Sequence, residues 1–439
     1  MSVDTSTGAV PLQRTGPPGR PGVTSRRPAR VRPWLAVWGA VFVCSWGGNQ
    51  FSPLLLMYQE RAHYSTLLVN AFLGVYVLGL APALLVAGSL SDRHGRRPLM
   101  LVGVTAALVG SGLLALGPFG AGYLAAGRLC SGITVGIAMA VGNSWVKELS
   151  QGRYDPVADA GSGARRASLA FTLGSGSGAL VAGCMAQWGP VPEVLPFLVH
   201  IAVAVPFLIV VLRAPETHTS GGVTGPWWRQ LRVPSAGHWR FVRVVMVSAP
   251  LVFASAAIAY GYLPTQLHDA TGRWGLVFAT AATVVALGVS SAVQPIAGRV
   301  HSVSSARGLV VAVLVMTVGI AVVALAIAAD SVWIGLVANA VVGAGMGIAL
   351  VSSLLEVQRI ASSRDLAGLT GVFYAVAYAG FLAPAVIAAV AAVAPVTAIL
   401  LVVVGLGLVA WVLVGVSSRR HLPAAAAGVG PDDPTAHLG

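Results

Sequence analysis

Long stretches without a charged side chain dominate this chain and separate short charged turns. Residues 67–90 carry no charge, and neither do residues 99–127. Each stretch is long enough to cross a bilayer, which takes about 20 predominantly apolar residues. The charged turn at 88–99, which joins them, must therefore lie at a membrane surface. This alternation predicts an all-α integral membrane protein.

The composition argues against a soluble protein. Of the 439 residues, 56% are hydrophobic and 9% are charged, whereas a soluble domain carries about 25% charged residues. The formal net charge of +13 would suggest nucleic-acid binding in a soluble chain. Here the basic residues lie between the apolar stretches and in the tails, so a membrane surface explains them better. We therefore expect the lipid bilayer, and no nucleic acid, as a partner.

Windows of about 20 residues predict twelve membrane spans. Their approximate extents are 34–58, 67–90, 99–117, 120–143, 167–188, 194–212, 241–263, 274–297, 308–328, 332–354, 366–390 and 394–416. A linker at 213–240 divides them into two sets of six, at 34–212 and 241–416. The tail at 1–33 is rich in Pro, Gly, Arg and Ser, so we expect it to be disordered. The remaining segment, 417–439, is the second tail.

The basic residues predict the orientation of the spans. If the amino terminus is inside, all but three of the 27 Lys and Arg residues are cytoplasmic. The exceptions are Arg61 and Arg273, which lie outside, and Arg128, which lies within a span. Because cytoplasmic loops carry an excess of Lys and Arg, both tails and the linker are predicted to be cytoplasmic. The excess of Arg over Lys in an Ala-, Val- and Gly-rich chain is typical of a GC-rich bacterial genome, which indicates a bacterial inner membrane.

The two halves look like a duplication. The tetrad Gly-Ile-Ala-Met at 136–139 recurs as Gly-Ile-Ala-Leu at 347–350, and Gly88 recurs as Gly298. The offsets of 211 and 210 residues predict a parallel repeat of six spans. In the second copy Ser302 stands where the first has Asp92, so the complete charged turn is found in the first half.

The charged turn reads G-S-L-S-D-R-H-G-R-R-P-L. It resembles the loop between helices 2 and 3 of the major facilitator superfamily, whose pattern is roughly G-x-L-x-D-R-x-G-R-R/K. The matching residues are Gly88, Leu90, Asp92, Arg93, Gly95, Arg96 and Arg97. The resemblance implies two pseudo-symmetric six-helix bundles around a central cavity that opens alternately to either side. We expect the cluster around Asp92 to be a latch that holds the halves together on the inner side in the outward-open state.

Arg128 is the basic residue that lies deep within a predicted span. A charged arginine there costs a few kcal/mol or more, so it should face a cavity or a partner. Its surroundings resemble the superfamily's span-4 pattern, with Leu124, Gly132 and Gly136 at matching positions and Ser131 in place of the usual Gln. In relatives this arginine is linked to proton transfer. The alternative is a structural arginine that binds backbone carbonyls of span 1.

Span 5 is rich in small residues. Gly174, Gly178 and Gly183 resemble the superfamily's antiporter pattern G-x-x-x-G-P-x-x-G-G, but Ala179 replaces the proline and Ala182 replaces one glycine. This resemblance favours export, and close helix packing is the competing interpretation. In the other half, we expect a kink in span 11 at Pro384, which has no N–H to donate.

Polar and aromatic residues within spans are candidates for the substrate cavity. They are Asn49, Gln50, Tyr260, Asn339, Tyr374 and Tyr378. Adjacent amides in hydrocarbon need partners, so at least one of Asn49 and Gln50 should face the cavity. For each candidate, packing between helices is an equally good interpretation.

The group that couples transport to protons is not evident from the sequence. No predicted span has Asp or Glu near its middle, because Glu60, Glu148 and Glu356 lie at span ends. His200 in span 6 is expected to be neutral and buried. The resemblance alone suggests Asp92 together with Arg128. A uniporter or a weakly coupled carrier remains an alternative.

Several chemical activities find no support. The sole lysine, Lys147, is not in a phosphate-binding loop, and there is no G-x-S-x-G elbow or metal-ligand spacing. We therefore expect no enzyme, no metal and no cofactor, with a proton gradient as the driving force. The predicted function is proton-coupled efflux of drugs or metabolites by a monomer. The alternatives are an importer of a sugar or another nutrient and, more distantly, a transporter-like membrane sensor.

Overall fold

The computed structural model describes residues 32–159, 161–218, 233–300, 304–362 and 365–419. Nearly all of the two predicted tails therefore lies outside the described residues, as does most of the linker. The described residues form helices joined by turns, with no β-strand. Eleven of these helices are long and apolar enough to cross a membrane.

We number the membrane helices from α1 to α12. They are α1 (Pro33–Asn49), α2 (Thr66–His94), α3 (Arg96–Ala115), α4 (Ala121–Leu149), α5 (Ser162–Trp188), α6 (Leu195–Arg213), α7 (Phe241–Gln266), α8 (Gly275–Val300), α9 (Arg307–Ala328), α10 (Val332–Ile360), α11 (Leu366–Val390) and α12 (Val396–Ser417).

The first predicted span is not one continuous helix. Helix α1 ends at Asn49, a short 3₁₀ turn covers Ser52–Leu54, and a second helical segment runs over Leu55–Arg61. Pro53 lies in the turn, where it has no N–H to continue the hydrogen-bond ladder. The predicted span 34–58 therefore consists of two helical segments joined by a turn. Helix α1 by itself is too short to count among the eleven spanning helices.

Several helices extend past the apolar stretches that predicted them, and α5 and α10 are examples. Helix α5 begins at Ser162, five residues before the predicted start at 167, and α10 ends at Ile360, six residues beyond 354. The added turns are polar and include Arg165 and Glu356. A hydropathy window detects only the part of a helix that crosses hydrocarbon, so these charged turns were missed.

Small residues allow helices within each half to pack at close range. A β-carbon at Gly136 on α4 would stand 2.7 Å from the Leu80 carbonyl oxygen on α2. In the second half, a β-carbon at Gly347 on α10 would collide with the Ser290 carbonyl oxygen on α8. Lipid is as apolar as leucine, so membrane helices associate through such close packing. The two glycines of the repeated tetrad thus have the same packing role in each half.

The halves meet along two pairs of helices, α2 with α11 and α5 with α8. Several helices depart from regular α geometry where they approach this interface. Wide π turns cover Ala138–Gly142 in α4 and Ala257–Tyr262 in α7. In α11 a 3₁₀ turn at Gly380–Leu382 precedes Pro384, which agrees with the predicted distortion at this proline. Such interruptions are common at functional sites.

Candidate functional site: a cavity between the two halves

A cavity of about 1390 Å³ lies between the two halves. Its lining reaches Asp92, Lys147 and Asp365, which are at the ends of α2, α4 and the loop before α11. We call this side of the molecule the Asp92 end, and the opposite side the Glu60 end. The cavity therefore opens at the Asp92 end.

Contacts between the halves close the Glu60 end. His268 Nε2 lies 3.5 Å from Glu60 Oε1, and Gln187 Nε2 donates to the Arg273 carbonyl oxygen at 3.0 Å. Gly183 on α5 is packed tightly against Thr280 on α8. The structure is therefore open on one side and closed on the other.

Two walls of the cavity are polar but uncharged. Hydroxyl and amide side chains come from α5 and α8: Ser168, Thr172, Ser175, Ser290, Ser291 and Gln294. Asn49 of α1 also lines the cavity, and its Nδ2 donates to Ser175 Oγ at 3.0 Å. Ser175 Oγ in turn lies 2.6 Å from Ser45 Oγ. These side chains offer hydrogen bonds to a polar substrate group.

The deep part of the cavity is aromatic. We call six lining residues the aromatic floor: Tyr76 from α2, Phe253 and Tyr260 from α7, and Tyr374, Tyr378 and Phe381 from α11. The rings of Phe253 and Tyr378 stack with centroids 4.0 Å apart. Tyr76 contacts Tyr378 and Phe381 edge-on, at 6.3 and 6.1 Å. The floor thus joins the two halves.

Half of the aromatic floor was not among the sequence candidates. The sequence indicated Tyr260, Tyr374 and Tyr378, which all line the cavity. It did not indicate Tyr76, Phe253 and Phe381. Periodicity gives little help, because helices buried in a membrane protein have no strongly polar face to mark the side that lines a cavity.

Gln50 does not line the cavity, although the sequence made it a candidate. Its Nε2 donates to Ser111 Oγ at 2.9 Å, and that oxygen is 2.7 Å from His200 Nδ1. His200 Nε2 is 2.9 Å from the Val43 carbonyl oxygen. Because a carbonyl can only accept, Nε2 carries a proton, and in the neutral imidazole that the sequence predicts Nδ1 then accepts from the Ser111 hydroxyl. Gln50 thus belongs to a polar chain inside the first half.

Asn339 is also outside the cavity. It is fully buried, and its Nδ2 donates to the carbonyl oxygens of Ala259 at 3.1 Å and Gly335 at 2.9 Å. The Ala259 carbonyl lies in the wide turn of α7, where an α-helical hydrogen bond is displaced. Asn339 therefore supports the backbone that carries Tyr260.

Arg128 is buried between backbone carbonyls and aromatic rings. Its guanidinium donates to the carbonyl oxygens of Gly48 at 3.0 Å and Phe72 at 3.3 Å. Its central carbon lies 4.4 Å from the Tyr76 ring centroid and 4.9 Å from that of Phe51. Among the described residues it has no ion-pair partner. This is the carbonyl-bound arrangement that the sequence left as the alternative.

Asp92 and Arg128 do not meet in this conformation. Arg128 contacts Tyr76, and Tyr76 and Asp92 are both on α2. Tyr76 and Asp92 are separated by about 24 Å along this helix, at about 1.5 Å per residue. Coupling between them, which the resemblance suggested, cannot be a direct contact here.

The charged cluster at the Asp92 end is built within the first half. Arg96 Nη1 lies 2.8 Å from Asp92 Oδ1, and Arg96 Nη2 lies 2.9 Å from Glu148 Oε1. Glu148 also accepts a hydrogen bond from the Thr217 hydroxyl. In this conformation these pairs do not link the two halves.

Glu216, which follows α6, organises the turn between α2 and α3. Its carboxylate accepts from the backbone N–H groups of Arg96 and Arg97, both at 2.9 Å, and from those of Thr217 and His218. It thereby caps the amino end of α3. Partial burial by itself would raise the pKa of Glu216, but these N–H donors stabilise the charged form and hold its pKa below the usual range.

Gly95 and Gly88 differ in their surroundings. Gly95 has φ of +95°, and a β-carbon there would stand 2.7 Å from Glu216 Oε2. The motif requires glycine at this position because of both the backbone and the carboxylate. At Gly88, by contrast, a β-carbon would meet no atom within 4 Å.

The two remaining arginines of the turn also lie in this cluster. Arg97 Nη2 donates to the Ala214 carbonyl oxygen at 2.7 Å, and Arg93 lies in the last turn of α2.

The second half has an ion pair that the sequence did not predict. Arg240 and Glu356 are fully buried, with Nε 2.7 Å from Oε2, and Arg240 also donates to the Ser418 carbonyl oxygen at 3.0 Å. This pair ties the start of α7 to the ends of α10 and α12. The sequence does show that each of these charged residues adjoins the end of an apolar stretch. It does not show that they pair, because they are 116 positions apart.

The three glycines of the antiporter-like pattern all lie at close helix contacts. Gly174 faces the Phe42 carbonyl and Gly178 faces Trp46, both on α1, whereas Gly183 faces Thr280 on α8. Two of them thus pack inside the first half and one at the interface between the halves. The described residues contain no cluster of three or more metal-ligating side chains.

Comparison with known proteins identifies the family. The sequence profile of the Major Facilitator Superfamily matches residues 35–384. The chain belongs to the major facilitator superfamily. This confirms the resemblance drawn from the 88–99 turn, and the chain is therefore a membrane transporter by family, built on a fold of transporters.

Individual relatives are more distant. The chain is 30% identical over 229 residues to the multidrug efflux pump LfrA of Mycolicibacterium smegmatis, a match that covers 49% of this chain and 37% of LfrA. It thus spans less than half the length of that relative. A solved structure of a variant of the peptide transporter POT superimposes with TM-score 0.72 at 12% identity, covering 89% of this chain and 94% of that one. The D-xylose–proton symporter superimposes with TM-score 0.68 at 14% identity, covering 89% and 97%.

Proposed function

We propose that this transporter exports a small molecule across a bacterial inner membrane in exchange for protons. The observation that carries the proposal is the cavity of about 1390 Å³, which is open at the Asp92 end and closed by contacts between the halves at the Glu60 end. With both termini cytoplasmic, as the basic residues predict, the cavity faces the cytoplasm and is ready to load a substrate for export.

Two further observations support export. The relative LfrA is a multidrug efflux pump, and it shares 30% identity with about half of this chain. In addition, Gly174, Gly178 and Gly183 hold α5 against α1 and α8, so the antiporter-like pattern occurs where one helix touches both halves. Similarity to the peptide and D-xylose transporters, at 12% and 14% identity, bears on the fold alone.

The charged cluster is proposed to act in the other conformation. When the Asp92 end closes, the side chains around Asp92 approach the second half, and their charge pairs hold that end shut. Asp92 is half-exposed now, with 47% of its side chain accessible, so it is free to gain a partner. If Asp92 leaves its pair with Arg96, the largely buried Arg96 keeps Glu148 as a counter-charge at 2.9 Å.

The proposal is tested in an efflux-deficient bacterium that expresses the wild type or Asp92→Asn. Accumulation of a panel of fluorescent dyes and antibiotics is measured with and without a protonophore. We expect the wild type to lower accumulation of at least one compound, and the protonophore or Asp92→Asn to abolish the effect. Gly122→Ala is the matched control, because a β-carbon there meets no atom within 4 Å.

Other outcomes would redirect or defeat the proposal. Full activity in Asp92→Asn at equal protein level would defeat the latch. Export that resists the protonophore would defeat proton coupling. Increased uptake of labelled sugars or other nutrients, without any efflux, would favour the importer.

A further inference from the structure

The aromatic floor joins the two halves at the closed side of the cavity. Tyr76 comes from the first half, whereas Phe253, Tyr378 and Phe381 come from the second. Rings that stack within one cluster offer a flat surface on which another ring can stack. A substrate resting on this floor would touch both halves at once, which is what a transported molecule must do to influence their relative position.

A positive charge lies directly behind this floor. The Arg128 guanidinium covers one face of the Tyr76 ring, with its central carbon 4.4 Å from the centroid. A ring stacked beyond Tyr76 would lie about 8 Å from that carbon, at ordinary stacking distances. An arginine remains charged in a protein. Arg128 has no ion-pair partner among the described residues, and the sequence has no Asp or Glu near the middle of any span.

The same charge opposes the binding of a cation. A cation on a free ring face of the floor would gain cation–π attraction. However, Arg128 already covers one face of Tyr76 and repels a second cation on the other side of the floor, whereas a neutral or anionic ring stacks without that repulsion. The floor is therefore a surface for flat rings with a positive potential behind it.

The mouth of the cavity carries charges of both signs. Two carboxylates line it: Asp92, which pairs with Arg96, and Asp365, which accepts from the backbone N–H groups of Ser235 and Ser362. Lys147 also lines the mouth, and no ion pair holds it within the part of the chain that the structure describes. An anion entering the cavity thus meets an available cation at the mouth and another behind the floor.

We propose that the substrate is a flat aromatic compound that carries a negative charge or none, and that the cavity discriminates against aromatic cations. The aromatic floor binds the ring of the substrate. The positive charge of Arg128, which lies behind the Tyr76 ring, favours substrates that are anionic or neutral. This inference rests on the proposed function only in that it assigns a substrate class to the same cavity.

The test is binding of three bicyclic probes of similar shape to the full chain in lipid nanodiscs. The probes are 2-naphthoate, which is an anion, 2-naphthamide, which is neutral, and N-methylquinolinium, which is a cation. Empty nanodiscs provide the correction for partition into lipid. We expect 2-naphthoate to bind at least tenfold more tightly than N-methylquinolinium, with 2-naphthamide between them.

Variants separate recognition of the ring from recognition of charge. Tyr378→Ala should weaken binding of all three probes without changing their order. Arg128→Lys should keep the order, whereas Arg128→Gln should remove it. If the Arg128 variants do not fold, Met139→Glu serves instead, because Met139 lines the cavity 3.6 Å from the Tyr378 hydroxyl and a carboxylate there should reverse the order.

The inference is overturned if N-methylquinolinium binds as tightly as 2-naphthamide. It is equally overturned if no probe binds, or if the order is unchanged in Arg128→Gln or in Met139→Glu. Because binding is measured without an ion gradient, these results do not depend on the direction of transport or on proton coupling. Failure of export in the cellular assay, with the binding order intact, would count against the proposed function alone.

Discussion

The Glu216 carboxylate occupies the space where a β-carbon at position 95 would stand, so Gly95 and Glu216 fit together as a pair. Glu216 Oε2 would lie 2.7 Å from that β-carbon, and the same carboxylate caps α3 through the N–H groups of Arg96 and Arg97. The end of α6 is thereby fixed to the turn between α2 and α3. Four helix ends of the first half, those of α2, α3, α4 and α6, meet at this one turn.

Gly95→Ala should destabilise the folded protein by about 2 kcal/mol, because φ of +95° strains any residue with a β-carbon and the new carbon displaces Glu216. Gly88→Ala is the control, since it introduces no close contact. Thermal unfolding in detergent compares the two variants. Equal unfolding temperatures for both would contradict this explanation of the motif.

Glu216→Gln should weaken the same turn in a pH-dependent manner. The folded pKa of Glu216 is lowered, so its contribution to stability is present above the unfolded pKa, about 4.3 for Glu, and is lost as the pH falls through the folded pKa. At neutral pH we expect a loss of about 1 kcal/mol, reduced by solvent screening at this half-exposed site. Below about pH 4 the wild type and the variant should converge. A constant difference from pH 7 to pH 3 would rule out a role for the charge.

Glu356→Gln should destabilise the protein by about 3 kcal/mol, because this carboxylate balances the fully buried Arg240 and also pairs with Arg359. The double variant Arg240→Met with Glu356→Leu should recover much of that loss, since the fully buried charge is then absent and the remaining cation, Arg359, is 15% exposed. The control is Arg165→Gln, which breaks a pair whose side chains are 62% and 64% exposed and should leave the unfolding temperature unchanged. A double variant no more stable than Glu356→Gln would show that the pair has a further role.

Gly183→Ala should impair transport more than folding, because its β-carbon collides with the Thr280 side chain at the interface between the halves. Thr280→Gly removes that side chain and should restore transport in the double variant. Gly176→Ala, on the same helix and with no atom within 4 Å, is the control. Efflux per folded molecule is the measurement. Failure of Thr280→Gly to rescue would mean that the glycine acts through another contact.

The sequence predicted the helices well and the orientation of their side chains poorly. Apolar length is a property of the chain itself, so the spans could be located, apart from the break at Pro53. Asn49 and Gln50 illustrate the difficulty, since adjacent helical residues point about 100° apart. One lines the cavity and the other joins a buried polar chain. Helix α1 is apolar on all sides, and nothing in its periodicity distinguishes the two directions.

Contacts between distant parts of the chain were the other source of error. The motif at 88–99 was visible, but Glu216 completes it from 120 residues away. Arg128 was recognised as buried, and carbonyl partners on α1 were one of two interpretations, but the second partner, the Phe72 carbonyl on α2, was not foreseen. Local sequence patterns cannot identify which carbonyls a buried arginine binds, because every residue has a backbone carbonyl.

The wide turn at Ala257–Tyr262 has a consequence for how such a protein can diversify. A π turn holds one residue more than an α turn, so the helix contains the equivalent of a one-residue insertion absorbed within a single turn. Deletion of one residue there would let the turn close as regular helix while α7 on either side kept its register with α8 and α11. The side chain presented by position 260 would change, and the rest of the cavity would not. A one-residue deletion, and not only a substitution, would thus change which side chain this turn presents to the cavity.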